Sequence, residues 1–169
     1  MRPPSERILG IDPGTASTGF AVIERHGTRM TPIWYDCLTT SPREAPAHRL
    51  VRIATAAREA IEQFQPDCAA IEELYFGASA KAALAVGQAR GVLMLMCAEA
   101  GLDVFEYAPA VIKQSVTGYG RADKLQVQSM VQHTLKLTEL PRPDHCADAF
   151  AVAITHAGSM RLARSARST

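Results

Sequence analysis

The apolar positions of this chain recur with two periods, and the changes of period mark its elements. Ile8-Leu9-Gly10-Ile11-Asp12 is a short apolar run closed by Pro13-Gly14, which predicts a buried strand followed by a turn. Gly19 to Glu24 predicts a second strand, near enough to pair with the first as a hairpin, and Ile33 to Thr39 a third. The period then lengthens. Leu50, Ile53, Ala54, Ala57, Ile61 and Phe64 form one stripe at helical spacing, so a helix over 46–64 covers one side of the sheet until Gln65-Pro66-Asp67 ends it. Cys68 to Glu72 is a short buried strand that finishes in a carboxylate. Residues 78–100 predict a helix that is apolar nearly all round and rich in small residues, among them Ala83, Gly87, Ala89 and Gly91. Such a helix is covered on two sides, the second cover being either a partner subunit or more of the same core. Val104 to Tyr107 is the last strand, and a helix follows from Pro109 to Val116. Asp123-Lys-Leu-Gln126 has the form of a capping box, opening a helix with Val127, Met130, Val131 and Leu135 on one face. Pro143-Asp144 opens the final helix, where proline suits the first position and an acid the first turn.

This order predicts an α/β domain with a five-stranded mixed sheet flanked by helices. The first three strands make an antiparallel meander. A helical crossover then sets Cys68–Glu72 parallel to and beside Ile8–Asp12. Asp12 and Glu72, each ending its strand, would then share the edge where α/β sheets carry their active sites.

Composition narrows the class only modestly. A length of 169 residues with 47% apolar content suits one domain, with a core over about 7–158 and an Arg-rich, flexible tail over 159–169. No run is read as approaching the ~18 apolar residues of a membrane span, and the first seven residues lack the apolar centre of a secretory signal. The expectation is a cytoplasmic protein with no membrane partner. The four cysteines form no C-x-x-C pair and read as reduced, mostly buried thiols. A net charge of +1 does not by itself announce a nucleic-acid binder. The tail holds Arg161, Arg164 and Arg167 with no acid, which suits either phosphate contact or a solvated terminus.

Three pieces of sequence are candidates for a single site. Asp12 ends the first strand, Glu72 ends the fourth, and His145 and Asp148 lie three apart on one face of the last helix. Carboxylates gathered at a strand edge repel one another unless cations neutralise them. Oxygen donors suit Mg²⁺ or Mn²⁺, and an imidazole tilts the preference toward Mn²⁺. Two such ions would clamp the attacking and leaving oxygens of a phosphodiester. Each residue also has a plainer reading. Asp12 suits a turn before Pro-Gly, Glu72 suits an arginine partner, Asp144 suits a helix N-terminus, and His145 suits the surface.

The opening Ile8-Leu-Gly-Ile-Asp12-Pro-Gly-Thr-Ala-Ser-Thr-Gly19 resembles that of the RuvC family. So do Ala70-Ile-Glu72, Gly87-Gln-Ala-Arg-Gly91, Val104-Phe-Glu-Tyr107, Val111-Ile-Lys-Gln-Ser-Val116, Lys124-Leu-Gln-Val-Gln128 and Ala147-Asp-Ala-Phe-Ala-Val-Ala-Ile-Thr-His156. These segments keep the family's order over about residues 7–156. The resemblance implies a ribonuclease-H-like homodimer that resolves four-way (Holliday) DNA junctions in recombination and repair. It implies two-metal hydrolysis, with Mg²⁺ or Mn²⁺, giving paired symmetric nicks with 5′-phosphate and 3′-hydroxyl ends. The catalytic metal ligands implied are Asp12, Glu72, His145 and Asp148. The third is often Asp in the family, so His145 departs from the commoner pattern, and Asp144 stands as an alternative ligand. For DNA the resemblance implies Tyr75 as a base-stacking aromatic and Lys113, Arg121 and Lys124 on phosphates. Arg90 either joins them or braces the site. RuvA and RuvB, which drive branch migration, are the implied partners. The alternatives are a ribonuclease-H-like RNase and a junction-binding module without catalysis. An actin-like ATPase shares the Gly10-Ile-Asp-x-Gly-Thr element but needs a second such domain.

Overall fold

The computed structural model describes residues 5–74 and 79–166, with side chains as far as Met160 in the last helix. The strands are β1 (Glu6–Asp12), β2 (Ser17–His26), β3 (Arg29–Thr39), β4 (Cys68–Glu72) and β5 (Asp103–Tyr107). The helices are α1 (Pro46–Phe64), α2 (Ala80–Glu99), α3 (Pro109–Thr117), α4 (Lys124–Leu135) and α5 (Asp144–Ala166). The sheet runs β3-β2-β1-β4-β5, with β1–β2 and β2–β3 antiparallel and β1–β4 and β4–β5 parallel. This is the five-stranded mixed sheet expected.

The elements differ from expectation mainly in length. β2 and β3 run on as a hairpin to the pair His26↔Arg29. The added residues, Arg25, His26, Arg29 and Met30 among them, pair through the backbone beyond the apolar run, so hydrophobic alternation does not mark them. Pro32 is tolerated because β3 is an edge strand. The last helix continues to Ala166, into the segment expected to be a tail.

Alternation along β1 divides the interior into two layers. Ile8 faces the side that α3, α4 and α5 cover, packing with Ile112, Val131, Phe150 and Ala153. Leu9 and Ile11 face the side of α1 and α2, packing with Ile53, Ala57, Ile61, Leu93 and Cys97. The stripe predicted for α1 is therefore its core face.

α5 approaches the sheet closely because both surfaces are small. Ala147, Ala149, Ala151 and Ala153 are buried on the helix. Opposite them, a Cβ on Gly10 would collide with the Ala149 carbonyl oxygen, and one on Gly19 with the His145 carbonyl oxygen. The two glycines thus let the first turns of α5 rest against β1 and β2.

α2 corrects the expectation that no run is long and apolar enough for a membrane. Its 20 residues include a stretch of mean hydropathy 1.3, enough by length and composition alone. The physical reason is its abundance of Ala, Val, Leu and Met, interrupted by few charges. Ala83, Ala89, Leu93, Met96 and Cys97 nevertheless face the core, while Leu84 and Leu95 are more than half exposed.

Candidate active site

The parallel pairing of β1 with β4 sets Ile11 opposite Ile71, so Asp12 and Glu72 leave the sheet side by side. Above them lies the N-terminus of α5. With Gly19 admitting the His145 backbone, the imidazole Nδ1 comes within 2.6 Å of Asp12 Oδ2. Asp148 follows one turn later, on the same helix face. Asp12, His145 and Asp148 each offer a ligand atom, all within 4.8 Å of one another. Glu72 closes the group from the side of β4. It lines one hollow with Asp12, Pro13 and Pro109, and a second with Asp148, Lys113 and Lys124.

The electrostatics are those of crowded, partly buried acids. Burial pushes the Glu72 carboxyl up to about 7, with the neighbouring Asp12 and Asp148 charges adding to the rise and Lys113 opposing it. Asp148 is raised by burial and by Asp12, against the pull of Lys124 and His145. His145 is raised chiefly by its hydrogen bond to Asp12, which outweighs burial. Each shift says that the site disfavours its own negative charge and welcomes a cation. Three carboxylates with one imidazole fit a divalent ion that accepts oxygen donors and tolerates nitrogen. Divalent ions held in this way can polarise a phosphodiester and lower the pKa of bound water.

The other predicted residues divide by location. Lys113, on α3, and Lys124, on α4, line the hollow beside Glu72 and Asp148. Arg121 is exposed in the turn that joins those helices. Arg90 forms an ion pair with Glu106, tying α2 to β5, and its side chain is mostly buried. Tyr75 lies outside the described residues. Asp144 stands at the start of α5, but its Oδ2 lies 3.2 Å from Lys124 Nζ and its Oδ1 accepts from Gln128 Nε2 at 3.0 Å. It is not in the group that Asp12 forms with His145 and Asp148.

Sequence reasoning missed two features. Gln128 was read only as part of the Lys124–Gln128 segment and given no role, because an amide on the core-facing side of a helix carries no chemical signature by itself. The closeness of Lys124 to the carboxylates was also missed. Its Nζ lies 3.5 Å from Asp148 Oδ2. A signal did exist for both, since Lys124 and Gln128 are four apart and share one face of α4.

Comparison with known proteins converges with this geometry. Residues 8–156 match the family model for "Crossover junction endodeoxyribonuclease RuvC". The protein of that name from Moorella thermoacetica is 53% identical over 150 residues, covering 89% of this chain and 90% of its own length. Its namesake from Desulforamulus reducens is 52% identical over 150 residues, covering 89% and 92%. Among solved structures, T. thermophilus RuvC in complex with Holliday junction substrate superposes with a TM-score of 0.88 at 36% identity, covering 94% of this chain and 96% of that one. The expected ribonuclease-H-like fold therefore holds. With acids converging at the end of β1 and β4 and a family match spanning nearly every described element, the chain belongs to the RuvC family of crossover junction endodeoxyribonucleases, which are metal-dependent hydrolases.

Proposed function

We propose that this protein resolves four-way DNA junctions by cutting two strands symmetrically, each cut leaving a 5′-phosphate and a 3′-hydroxyl. The observation that carries the reading is the convergence of Asp12, His145 and Asp148 within 4.8 Å, with Glu72 beside them. Asp12, Glu72, His145 and Asp148 would hold two divalent ions, Mg²⁺ or Mn²⁺. When bound, the ions supply the positive charge that polarises the phosphodiester and activates water. Asp12 is central, facing the His145–Asp148 side and the Glu72 side at once, so its carboxylate would be available to either ion. Burial first, and the Asp12 and Asp148 charges after it, push the Glu72 carboxyl up to about 7, so a cation bound beside it would favour its ionised form. Lys113 and Lys124, at the rim of the same hollow, meet the oxygens of the scissile phosphate. Arg121 contacts phosphate further along the arm, Tyr75 stacks on an unpaired base, and Arg90 braces α2 against β5.

The active unit is a homodimer. A four-way junction has a two-fold axis, and two sites related by a two-fold meet strands of like polarity. The exposed apolar face of α2 supports this assembly, since Leu84 and Leu95 stand outward at helical spacing. In the cell, in the cytoplasm, the dimer works with the RuvA–RuvB branch-migration proteins.

Cleavage of a synthetic mobile four-way junction tests the reading. Mg²⁺, Mn²⁺ and chelator are compared, beside a linear duplex and an RNA–DNA hybrid. Paired nicks on the junction, with metal only, are expected. Tight binding without cutting would leave a junction-binding module, and cutting of the hybrid would identify an RNase.

A further inference from the structure

The start of α5 carries an acid that the metal group does not use. Asp144 lies immediately before His145, yet both its oxygens turn toward α4. Oδ2 meets Lys124 Nζ at 3.2 Å, and Oδ1 accepts the Gln128 amide at 3.0 Å. Gln128 is only 5% exposed, among the few buried polar residues described. A buried amide must find a partner, and here that partner is Asp144. Lys124 and Gln128, one turn apart on α4, therefore grip one carboxylate from the neighbouring helix.

This grip determines where the Lys124 ammonium sits. Lysine is a flexible point charge on a long stem, and this side chain is half exposed. Tethered through Asp144, it stands 3.5 Å from Asp148 Oδ2, in the hollow shared with Glu72 and Lys113.

We propose that Asp144 and Gln128 are positioning residues for DNA cleavage, which act by holding Lys124 at the Asp148 edge of the site, against an oxygen of the scissile phosphate. The inference rests on the proposed nuclease reading and deepens it. It gives Asp144 a role distinct from a metal ligand and from a mere N-terminal charge on the helix. A ligand would bind the metal. A helix-end charge would affect stability alone. A positioning residue acts on the rate of the bound complex, and only while Lys124 is present.

The test compares wild type with Asp144→Ala, Gln128→Leu, Lys124→Ala and the double variant Asp144→Ala/Lys124→Ala. Three quantities are measured: the single-turnover cleavage rate of a saturated synthetic junction, the junction Kd, and Mn²⁺ binding to the DNA-free protein by electron paramagnetic resonance. Misplacing a catalytic contact by about 1 Å costs up to roughly 100-fold in rate. Asp144→Ala is therefore expected to slow the bound complex by about tenfold or more, with Kd and Mn²⁺ affinity within about twofold of wild type. Gln128→Leu is expected to move the rate in the same direction. In the Lys124→Ala background, removing Asp144 is expected to change the rate no further. Asp144→Glu, which restores a carboxylate, should recover part of the loss. If Gln128→Leu does not fold, the Asp144 series decides alone. A wild-type rate for Asp144→Ala, or independent losses from Asp144→Ala and Lys124→Ala, overturns the positioning role. Weakened Mn²⁺ binding in Asp144→Ala makes it a ligand instead. Wild type that cuts no junction overturns the nuclease reading as well, so the two failures are distinguishable.

Discussion

Asp12 is the residue on which the site turns, because it acts on each of the other groups. It hydrogen-bonds His145, raises Asp148 and raises Glu72. Its replacement by Asn keeps the size and shape but removes the charge that draws cations. Asp12→Asn is expected to abolish junction cutting while leaving junction affinity largely intact, since phosphate contacts supply most binding energy. Cleavage and gel-shift assays on the same preparation check this, and full cutting by the variant would remove Asp12 from the centre. The convergence of Asp12, Glu72, His145 and Asp148 was legible because carboxylates at strand ends and an i, i+3 pair on a helix are patterns of spacing. Asp144 was less so. Whether it turned toward His145's neighbours or toward Lys124 depended on how α4 packs beside α5, and no local spacing contains that angle. Arg90 illustrates the same limit. Its partner Glu106 is 16 residues away and on another element.

Among the elements, α5 connects core to chemistry. Its first two turns carry His145 and Asp148, and buried alanines from the same turns onward press on β1 and β2. Gly19→Ala puts a methyl group into the His145 carbonyl and must lift that turn. Overpacking of this kind costs roughly 1–3 kcal/mol. The variant is expected to melt lower and also to bind Mn²⁺ more weakly, because the displaced turn carries His145. Calorimetry and a metal titration check it, and a change in stability with metal affinity untouched would separate the packing from the site. Farther along α5, His156 is 2% exposed, stacked on Phe105 at 4.1 Å and bonded through Nδ1 to the Tyr107 hydroxyl at 2.7 Å. Burial first, and Arg25 second, push its pKa down to about 4. Between that value and the unfolded value near 6.5, the unfolded chain binds more protons. His156 therefore favours the native state fully above about pH 6.5, and its contribution is lost as pH falls toward 4. His156→Phe, which leaves Tyr107 its bond to Ser159, is expected to flatten this window by up to about 3 kcal/mol. Urea melts across pH 4–7 measure the difference between the variants. A parallel pH dependence in both would show that the imidazole takes up its proton over the same pH range in the folded and the unfolded chain. The helix period and the strand ends of these elements were visible in sequence. The polar extension of the β2–β3 hairpin and the reach of α5 to Ala166 were not, because backbone pairing and helix propagation continue where apolar signals stop.

At the scale of the whole molecule, chemistry at one site must become two matched cuts. α2 has the features that such a task asks of a surface. Its inner face holds Ala89, Leu93 and Cys97 in the core. Its outer face presents Leu84, Gln88, Gly91 and Leu95 in one stripe, with Leu84 66% and Leu95 53% exposed and open space beside Gly91. Residues 4, 7 and 11 apart lie along one line of a helix, and a small residue in that line permits close approach of another helix. A second copy brought against this stripe would place two α2 helices about a two-fold axis. Charges there would be desolvated without partners, so Leu84→Glu with Leu95→Glu is expected to yield monomers at micromolar concentration by analytical ultracentrifugation. The separated subunits keep Asp12, Glu72, His145 and Asp148 intact, so metal binding should persist while paired nicking of the junction gives way to single nicks. If the doubly substituted chain remains dimeric, the subunits meet through another face; if it becomes monomeric yet still cuts both strands in concert, symmetry is imposed by the DNA and not by the protein.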